Sequence, residues 1–215
     1  QADSQEETAD MVRSLYKREI AQSGIDQVQI LTPYRSRGEA SSDALNETVR
    51  EEVNPPLQGK PEVMFGGSMF RLDDRVMQTK NNSLIQLRDN EGKELTPGVF
   101  NGEIGRVHDI QTGKIVINFD GRYADYPLEG LSELTLSYAS TIHKAQGSEY
   151  DTVIIPLLMA HRILLTRNLL YTAVTRAKRR VLLVGQIKAL YTAIHTSRKG
   201  KRKTLLAERM RLYHQ

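Results

Sequence analysis

One short polar stretch carries most of the side chains in this sequence that are suited to ligand chemistry. Residues 137–156 read SYASTIHKAQGSEYDTVIIP, a polar loop between two runs rich in β-branched residues. The loop gathers hydroxyl, imidazole, ammonium, amide and carboxylate groups around a glycine: Thr141, His143, Lys144, Gln146, Gly147 and Glu149. Ligands of open α/β sheets collect where strands end, so this pattern predicts a ligand-binding loop.

The residues of this loop, taken singly, leave two interpretations open. His143 follows Thr141 by two residues, and that spacing fits a ligand contact and a capping or packing role about equally well. Gly147 either lets the backbone approach a ligand closely or makes a turn. Glu149 either accepts two ribose hydroxyls or is a solvated loop acid.

Two arginines are the best candidates for cations that act on an anionic ligand. Arg176 lies in TRAKRR near the end of a predicted helix, where the helix dipole favours any cation. That general effect accounts for the basic residues after it. Arg176 itself follows the half-buried part of the helix, which would hold its guanidinium in place. Arg35 follows a predicted strand by three residues, so we favour it over Arg37 as the second aimed cation.

The composition excludes several classes of function. The sequence has no cysteine, which excludes disulfides and cysteine-based metal sites and fits a reducing, cytoplasmic compartment. Its five histidines are scattered and it contains neither HExxH nor the phosphate-loop pattern GxxxxGK[ST], so we expect no metal site. No apolar run approaches the ~20 residues of a membrane span.

The charge and the first residues indicate a nucleic-acid or phosphate partner and a longer parent chain. The net charge is +4, and much of the excess falls in residues 176–180 and 198–203. The chain begins with QADSQEE and no methionine. We therefore expect it to be part of a longer polypeptide.

Hydrophobic periodicity predicts an α/β rhythm at both ends of the chain. The predicted elements are a helix through 11–20, a strand at 28–32, a helix at 43–53, strands at 134–138 and 152–155, a helix at 167–176, a strand at 180–184 and a helix from 187. The continuous apolar runs at 153–155 and 181–184 are typical of strands covered on both faces of a parallel sheet. A basic tail at 198–203 precedes a possible amphipathic helix at 204–213.

The middle of the chain has a different pattern. Short alternating runs occur at 75–80, 84–87, 104–110 and 115–119, separated by Asn-Gly, Thr-Gly and Asp-Gly turns. Such spacing predicts antiparallel hairpins. About 65 residues suit a five-stranded barrel inserted into the α/β domain.

The sequence motifs together resemble those of the RecD-like branch of the superfamily-1 helicases, over nearly the whole chain from about residue 6. LTPYRSRG resembles helicase motif IV, STIHKAQGSEYDTVIIP resembles motif V, and LLYTAVTRAKRRVLLVG resembles motif VI. FRLDDRVMQTKNN and VFNGEIGRV resemble the inserted barrel of RecD-type enzymes, and RKTLLAERM resembles their C-terminus. Gln146 stands where UvrD-type relatives place lysine, which favours the RecD-like group.

The resemblance implies an α/β fold class. The expected architecture is a RecA-like parallel-sheet domain of the P-loop NTPase type, here the second motor domain and without a Walker A motif. A small all-β Src-homology-3-like barrel is inserted into it. We expect residues 1–67 and 133–215 to form the discontinuous motor domain and residues 68–132 to form the barrel.

The resemblance also implies a role for each candidate residue. Arg176 would be an arginine finger on the γ-phosphate of ATP, and Arg35 would supply a second cation to the same phosphate. Gln146, Gly147 and Glu149 would meet the nucleotide, with Glu149 on the ribose. Thr141 and His143 would hold the phosphate backbone of single-stranded DNA.

Relatives bind ATP and Mg²⁺ chiefly through a first motor domain that carries the Walker motifs. The expected partners of this chain are therefore that N-terminal motor domain and single-stranded DNA, and we expect the chain alone to be inactive as an ATPase. By resemblance the parent is an ATP-dependent 5′–3′ DNA helicase. Two alternatives stay open: a non-catalytic binding module derived from a helicase, and the RecD subunit of an exodeoxyribonuclease V complex with partner nuclease subunits.

Overall fold

The computed structural model describes residues 4–197, which form two main sheets, one hairpin and the helices around them. The helices of this part are α1 (Gln5–Ser23), α2 (Ser42–Val53), α3 (Arg167–Val174) and α4 (Ile187–His195). The strands are β1 (Val28–Thr32), β2 (Glu62–Phe65), β3 (Ser68–Arg71), β4 (Arg75–Gln78), β5 (Leu87–Arg88), β6 (Glu94–Leu95), β7 (Ile104–Gln111), β8 (Lys114–Phe119), β9 (Arg122–Pro127), β10 (Leu134–Leu136), β11 (Ala139–Thr141), β12 (Tyr150–Leu157) and β13 (Ala177–Gly185). The basic tail at 198–203 and the helix predicted at 204–213 lie outside the described residues.

Hydroxyl side chains define where three of these helices begin. The side chains of Ser4, Ser41 and Thr166 accept hydrogen bonds from backbone N–H groups in the first turns of α1, α2 and α3. Such caps satisfy donors that a helix N-terminus leaves unpaired. Within the described residues, none of the helices is long and apolar enough to cross a membrane.

Four strands form a parallel sheet between two helical layers. The strand order is β11-β1-β12-β13, and each neighbouring pair is parallel. Successive side chains of a strand point to opposite faces, so Ile30 packs in the cluster that includes Tyr16 and Leu45 of α1 and α2, whereas Leu31 packs with Leu169 and Ala189 of α3 and α4. This three-layer arrangement confirms the predicted α/β architecture.

The two apolar runs of the sheet differ in burial. β12 lies inside the sheet, and Val153, Ile154 and Ile155 are fully buried, as predicted. Within residues 4–197 β13 pairs only with β12, and Leu183 is 43% exposed. Among the described residues no element covers Leu183 fully, contrary to the prediction that both faces of 181–184 are covered, because an apolar run does not show which element packs on each face.

The second sheet is antiparallel and larger than predicted. Its order is β10-β4-β7-β8-β9-β5-β6, seven strands rather than five, although β5 and β6 contain two residues each. The strand predicted at 84–87 is largely wrong, because β5 begins at Leu87 and Leu84 is 83% exposed. The hairpin β2–β3 and the strand β9 were not predicted.

Only the first part of the strand predicted at 134–138 is observed as a strand, β10, and the next strand, β11, begins at Ala139 beyond the predicted segment. β10 pairs antiparallel with β4 in the seven-stranded sheet, whereas β11 pairs in parallel with β1. Two residues, Ser137 and Tyr138, make the crossing, and both are buried. The α/β part therefore resumes at Ala139 rather than at residue 134.

A buried polar network joins the two sheets at this crossing. The Tyr138 hydroxyl donates to Asp74 Oδ1 at 2.9 Å, and Arg75 Nη1 donates to Gln29 Oε1 at 2.6 Å and to the carbonyl of Ser137 at 2.7 Å. Burial raises the pKa of Asp74, while hydrogen bonds from Asn54, the Arg71 backbone and Tyr138 oppose that rise. Because buried polar groups are costly when unpaired, these bonds fix one relative arrangement of the sheets.

Candidate functional site

The polar loop predicted from the sequence connects opposite edges of the parallel sheet. Thr141, the last residue of β11, pairs with Thr32 at the carboxyl end of β1. β12 begins at Tyr150, two residues before Thr152, which pairs with Val28 at the amino end of β1. Residues 142–149 therefore cross the full height of β1, about 16 Å at the usual rise per residue.

The loop is built as a chain of tight turns around two apolar anchors. Ile142 and Ala145 are buried, and the N–H of Ile142 donates to the Thr32 carbonyl at 3.0 Å. Further backbone hydrogen bonds join Ala145 to Thr141 and Ser148 to Ala145. Because the apolar positions face inward, the side chains of His143, Lys144, Gln146 and Glu149 point to solvent.

At the carboxyl edge of the sheet, Thr141, Lys144 and Arg35 line one cleft. The side chain of Arg35 is 69% exposed, and its Nε lies 3.5 Å from Asp43 Oδ2. This ion pair is too exposed to fix the guanidinium strongly. The cleft thus combines a hydroxyl with two available cations, which suits an anionic ligand.

His143 and Gln146 line a neighbouring groove of about 310 Å³ with the start of α3, including Thr166 and Asn168. The N-terminus of a helix carries partial positive charge. Because both residues line this groove, Gln146 lies beside His143. The roles implied by the family, in contrast, place Gln146 on the nucleotide and His143 on DNA.

At the amino edge of the sheet, Arg176 is held by hydrogen bonds to three oxygens. Its Nε donates to the Thr172 carbonyl at 3.2 Å, Nη1 to the Ser148 carbonyl at 3.1 Å and Nη2 to Thr175 Oγ1 at 3.3 Å. Its own carbonyl accepts from the N–H of Tyr150 at 2.9 Å. The guanidinium is thus positioned by α3 and by the end of the polar loop.

Glu149 lies at the same edge. Its Oε2 is 3.8 Å from Lys178 Nζ, and its side chain is 59% exposed. Gly147 has a φ of 93°, a conformation that side-chain-bearing residues rarely adopt, and a Cβ there would meet open space. The glycine is therefore explained by the turn itself, and the carboxylate of Glu149 is accessible to a ligand.

The structure does not bring Arg35 and Arg176 together. Arg35 lies beyond the carboxyl end of β1, whereas Arg176 lies level with the start of β12 at the other edge. Along the strands their backbones are about six residue rises, or roughly 20 Å, apart. This separation argues against the expectation that both arginines act on one phosphate. Arg35 follows one parallel strand and Arg176 precedes another, which places them at opposite ends of the sheet.

Two further residues near the carboxyl edge had no assigned role. Tyr34 packs edge-to-face against His161, with ring centroids 5.4 Å apart, and the Arg37 guanidinium lies 5.6 Å from the centre of the Tyr34 ring. This contact accounts for Arg37 without a ligand. His161 belongs to the short helix Met159–His161 after β12, and an isolated histidine in an apolar stretch gave no signal of this packing.

Comparison with known protein families matches both parts of the chain. Residues 136–184 match the family model for the UvrD-like helicase C-terminal domain, and residues 45–119 match the model for the SH3 domain of ATP-dependent RecD-like DNA helicases. The "ATP-dependent RecD2 DNA helicase" of Deinococcus radiodurans is 36% identical over 200 residues, which cover 93% of this chain and 25% of that protein. The chain belongs to the RecD-like superfamily-1 helicases.

Other RecD-like relatives are similar over most of the chain. The "RecBCD enzyme subunit RecD" of Mycolicibacterium smegmatis is 33% identical over 192 residues, 87% of this chain and 30% of that protein. The chain thus spans between a quarter and a third of the length of these two curated relatives.

A solved structure shows the same fold. The crystal structure of the Pif1 helicase from Bacteroides in complex with ADP-AlF3 and ssDNA superimposes with a TM-score of 0.55 at 18% identity, covering 96% of this chain and 49% of that one. With the family matches, this likeness confirms the predicted fold class, a helicase motor-type α/β unit combined with an SH3-like β unit.

Proposed function

We propose that this RecD-like chain is the second motor half of an ATP-dependent 5′–3′ DNA helicase. In this proposal the described residues 4–67 and 139–197 belong to the motor domain, and the inserted barrel extends from residue 68 through β10, past the boundary expected at 132. The observation that carries the proposal is the polar loop 142–149, which links two chemically distinct edges of one parallel sheet. A ligand at one edge can act on the other through this single short segment.

The amino edge is the proposed nucleotide side. Arg176 offers a positioned guanidinium to a γ-phosphate, where a fixed cation stabilises the charge of the transition state. Glu149 has an accessible carboxylate that can accept ribose hydroxyls, and Gly147 shapes the turn before it. Within residues 4–197 no three His, Asp or Glu side chains group as ligands for a metal ion. By resemblance to the RecD-like family, we assign Mg²⁺ and most of the ATP contacts to an N-terminal motor domain of the same protein.

The carboxyl edge is the proposed DNA side. Thr141, His143 and Lys144 present a hydroxyl, an imidazole and an ammonium group, which are common partners of a phosphate backbone. We move Arg35 to this side, because it lines the same cleft as Thr141 and Lys144. Gln146 shares the groove of His143, so we include it here rather than with the nucleotide. The crystallised Bacteroides Pif1, which has this fold, was bound to ssDNA.

The two arginines provide a test that separates the edges. In the longer helicase polypeptide, Arg176→Ala should lower ATP turnover by about 10³-fold or more and leave most of the single-stranded DNA affinity. Arg35→Ala should weaken DNA binding and leave turnover at saturating DNA nearly unchanged. Arg37→Ala is the matched control, since its guanidinium packs on Tyr34. Wild-type turnover in the Arg176 variant would refute the assignment.

The chain alone provides a second test. Its sequence contains no phosphate-loop motif, so we expect no ATP hydrolysis by the isolated chain. It should bind labelled single-stranded oligonucleotide weakly, with an affinity that falls steeply as salt rises, because phosphate contacts release counterions. Affinity that is independent of salt would contradict backbone contacts at the carboxyl edge.

A second candidate is a RecD subunit of a RecBCD-type nuclease complex, favoured by the similarity to the RecBCD subunit of M. smegmatis. Purification of the parent protein from its own cells separates the two. Stoichiometric co-purification with nuclease subunits supports the subunit, and a free monomer supports a self-contained helicase.

A further inference from the structure

One aromatic side chain beside the antiparallel sheet is exposed although the backbone of its loop is held by several hydrogen bonds. Phe100 is 54% exposed, whereas Phe70 and Phe119 are almost fully buried in the core of the same sheet. An isolated exposed apolar residue is common on protein surfaces and needs no function. Its surroundings must therefore decide whether Phe100 has one.

The loop around Phe100 is held by several hydrogen bonds. The N–H of Phe100 donates to Glu103 Oε1 at 2.9 Å, and the N–H of Glu103 donates back to the Phe100 carbonyl at 3.0 Å. The N–H of Asn101 donates to Asn81 Oδ1 at 2.9 Å. On the other side, Val99 and Asn82 exchange two backbone hydrogen bonds at 2.9 and 3.0 Å. The ring is thus presented to solvent by a backbone that has little freedom to fold it away.

This loop lies next to the carboxyl-edge cleft. The backbone N–H of Gln78 donates to the carbonyl of Glu103 at 2.9 Å, and the backbone carbonyl of Gln78 accepts from the N–H of Gly102 at 2.9 Å. The residue before it, Met77, lines the cleft that contains Thr141 and Lys144. Ile104 pairs with Met77 and packs against the apolar cluster that contains the two loop anchors. The turn at 100–102 therefore continues the proposed DNA side from the parallel sheet onto the antiparallel one.

The surface near the ring also suits nucleic acid. Three residues of the two chain segments that meet at this turn are exposed: Lys80, Asn81 and Asn101. The nearby carboxylate of Glu103 is paired with Arg122, whose Nη2 lies 2.5 Å from its Oε2. An aromatic face beside cationic and amide groups is the combination used by proteins that bind single strands, because every base can stack on a ring.

We propose that Phe100 is a stacking platform for a base of the single strand whose phosphates contact the Thr141 and Lys144 cleft. This inference rests on the proposed DNA side and adds a contact to bases, supplied by the antiparallel sheet. A backbone that is already held by hydrogen bonds loses little conformational freedom on binding. The contact is independent of base sequence, as a motor that moves along DNA requires.

Tryptophan fluorescence tests this proposal directly. The sequence contains no tryptophan, so Phe100→Trp places a single reporter at the site, and a base stacked on its indole quenches the emission. Tyr191→Trp is the matched control, because Tyr191 is 60% exposed on α4, a helix that packs on α3. Each variant is titrated with labelled oligothymidine, and anisotropy of the label reports binding in the same cuvette.

The expected result is saturable quenching of the indole in Phe100→Trp, with the same midpoint as the anisotropy change, and no quenching in Tyr191→Trp. An oligonucleotide with abasic sites should bind without quenching, which separates stacking from phosphate contacts. Phe100→Ala should weaken binding of the intact oligonucleotide by about fivefold or more. DNA binding without quenching at position 100 overturns the stacking platform and leaves the proposed DNA side intact. Absence of DNA binding in every variant overturns both.

Discussion

Replacing His161 by asparagine should make the stability of the chain less sensitive to acid. The His161 ring is 1% exposed, and its Nδ1 accepts the N–H of Leu158 at 3.3 Å, so the neutral tautomer carries its proton on Nε2. Among the described residues, Nε2 has no hydrogen-bond partner. Protonation would therefore place a charge in an apolar site and also remove the acceptor of Leu158.

The magnitude follows from the pKa. Burial lowers the pKa of His161 to about 4, against about 6.5 for a histidine in an unfolded chain. The folded state thus binds the proton less well than the unfolded state, and stability that is complete above about pH 6.5 is lost as the pH falls towards 4. The full loss is about 3 kcal/mol, of which about 2 kcal/mol is reached near pH 5.

Urea denaturation between neutral pH and about pH 5 measures this difference. Asparagine keeps an oxygen that can accept from Leu158, so the variant should fold. It should be less stable than the wild type at neutral pH, because the smaller side chain packs less well. Between the two pH values the wild type should lose about 2 kcal/mol more than His161→Asn.

His195→Asn, which replaces a histidine on the exposed surface of α4, is the matched control for the removal of an imidazole. Parallel pH curves for the wild type and His161→Asn would refute the reasoning.

Two paired substitutions test the backbone and the buried network by the same denaturation assay. Gly185→Ala should lower the free energy of unfolding by about 2–4 kcal/mol, because a Cβ at this position (φ 123°) would lie 2.3 Å from the carbonyl oxygen of Leu157. At Gly92 (φ 82°) a Cβ would meet open space, so Gly92→Ala should lower it by about 1 kcal/mol. Equal costs would contradict the steric argument. Tyr138→Phe should lower the free energy of unfolding by about 1–3 kcal/mol, since the Tyr138 hydroxyl donates to buried Asp74. Tyr150→Phe should change it very little, since no described residue forms a hydrogen bond with that buried hydroxyl. A costly Tyr150→Phe would indicate a partner outside the described residues.

The elements with strong local signals were predictable from the sequence. β1 was predicted with its observed bounds at 28–32, because a short run of buried residues is ended by a proline. α2 was predicted within one residue of its start. β5, β6 and the β2–β3 hairpin are short and lack a clear alternating pattern, so they carry little information in the sequence.

The division of residues 134–141 between two sheets was not predictable in the same way. The sequence there, LTLSYAST, mixes apolar and hydroxyl residues without a glycine or proline to mark a break, and only tertiary pairing assigns Leu134–Leu136 to β4 and Ala139–Thr141 to β1. The same limit applies to the candidate site. Motif order predicted Arg35 and Arg176 as the candidate cations, but it did not use their positions after β1 and before β13, which place them at opposite ends of the parallel strands.

The geometry of Arg176 gives the proposed coupling a physical form. In the present arrangement Nη1 is bonded to the carbonyl of Ser148, near the end of the polar loop, and the Arg176 carbonyl is bonded to Tyr150 just after it. A γ-phosphate would compete for the same guanidinium hydrogens, because all of its present acceptors are neutral oxygens and charged acceptors bind more strongly. Engagement of the finger would then release the Ser148 carbonyl. Only two residues separate Ser148 from the buried Ala145 anchor, and only two more separate that anchor from Ile142 beside Thr141. A local exchange of hydrogen bonds at the amino edge would therefore shift the end of a short, tightly turned segment whose beginning carries the proposed DNA contacts.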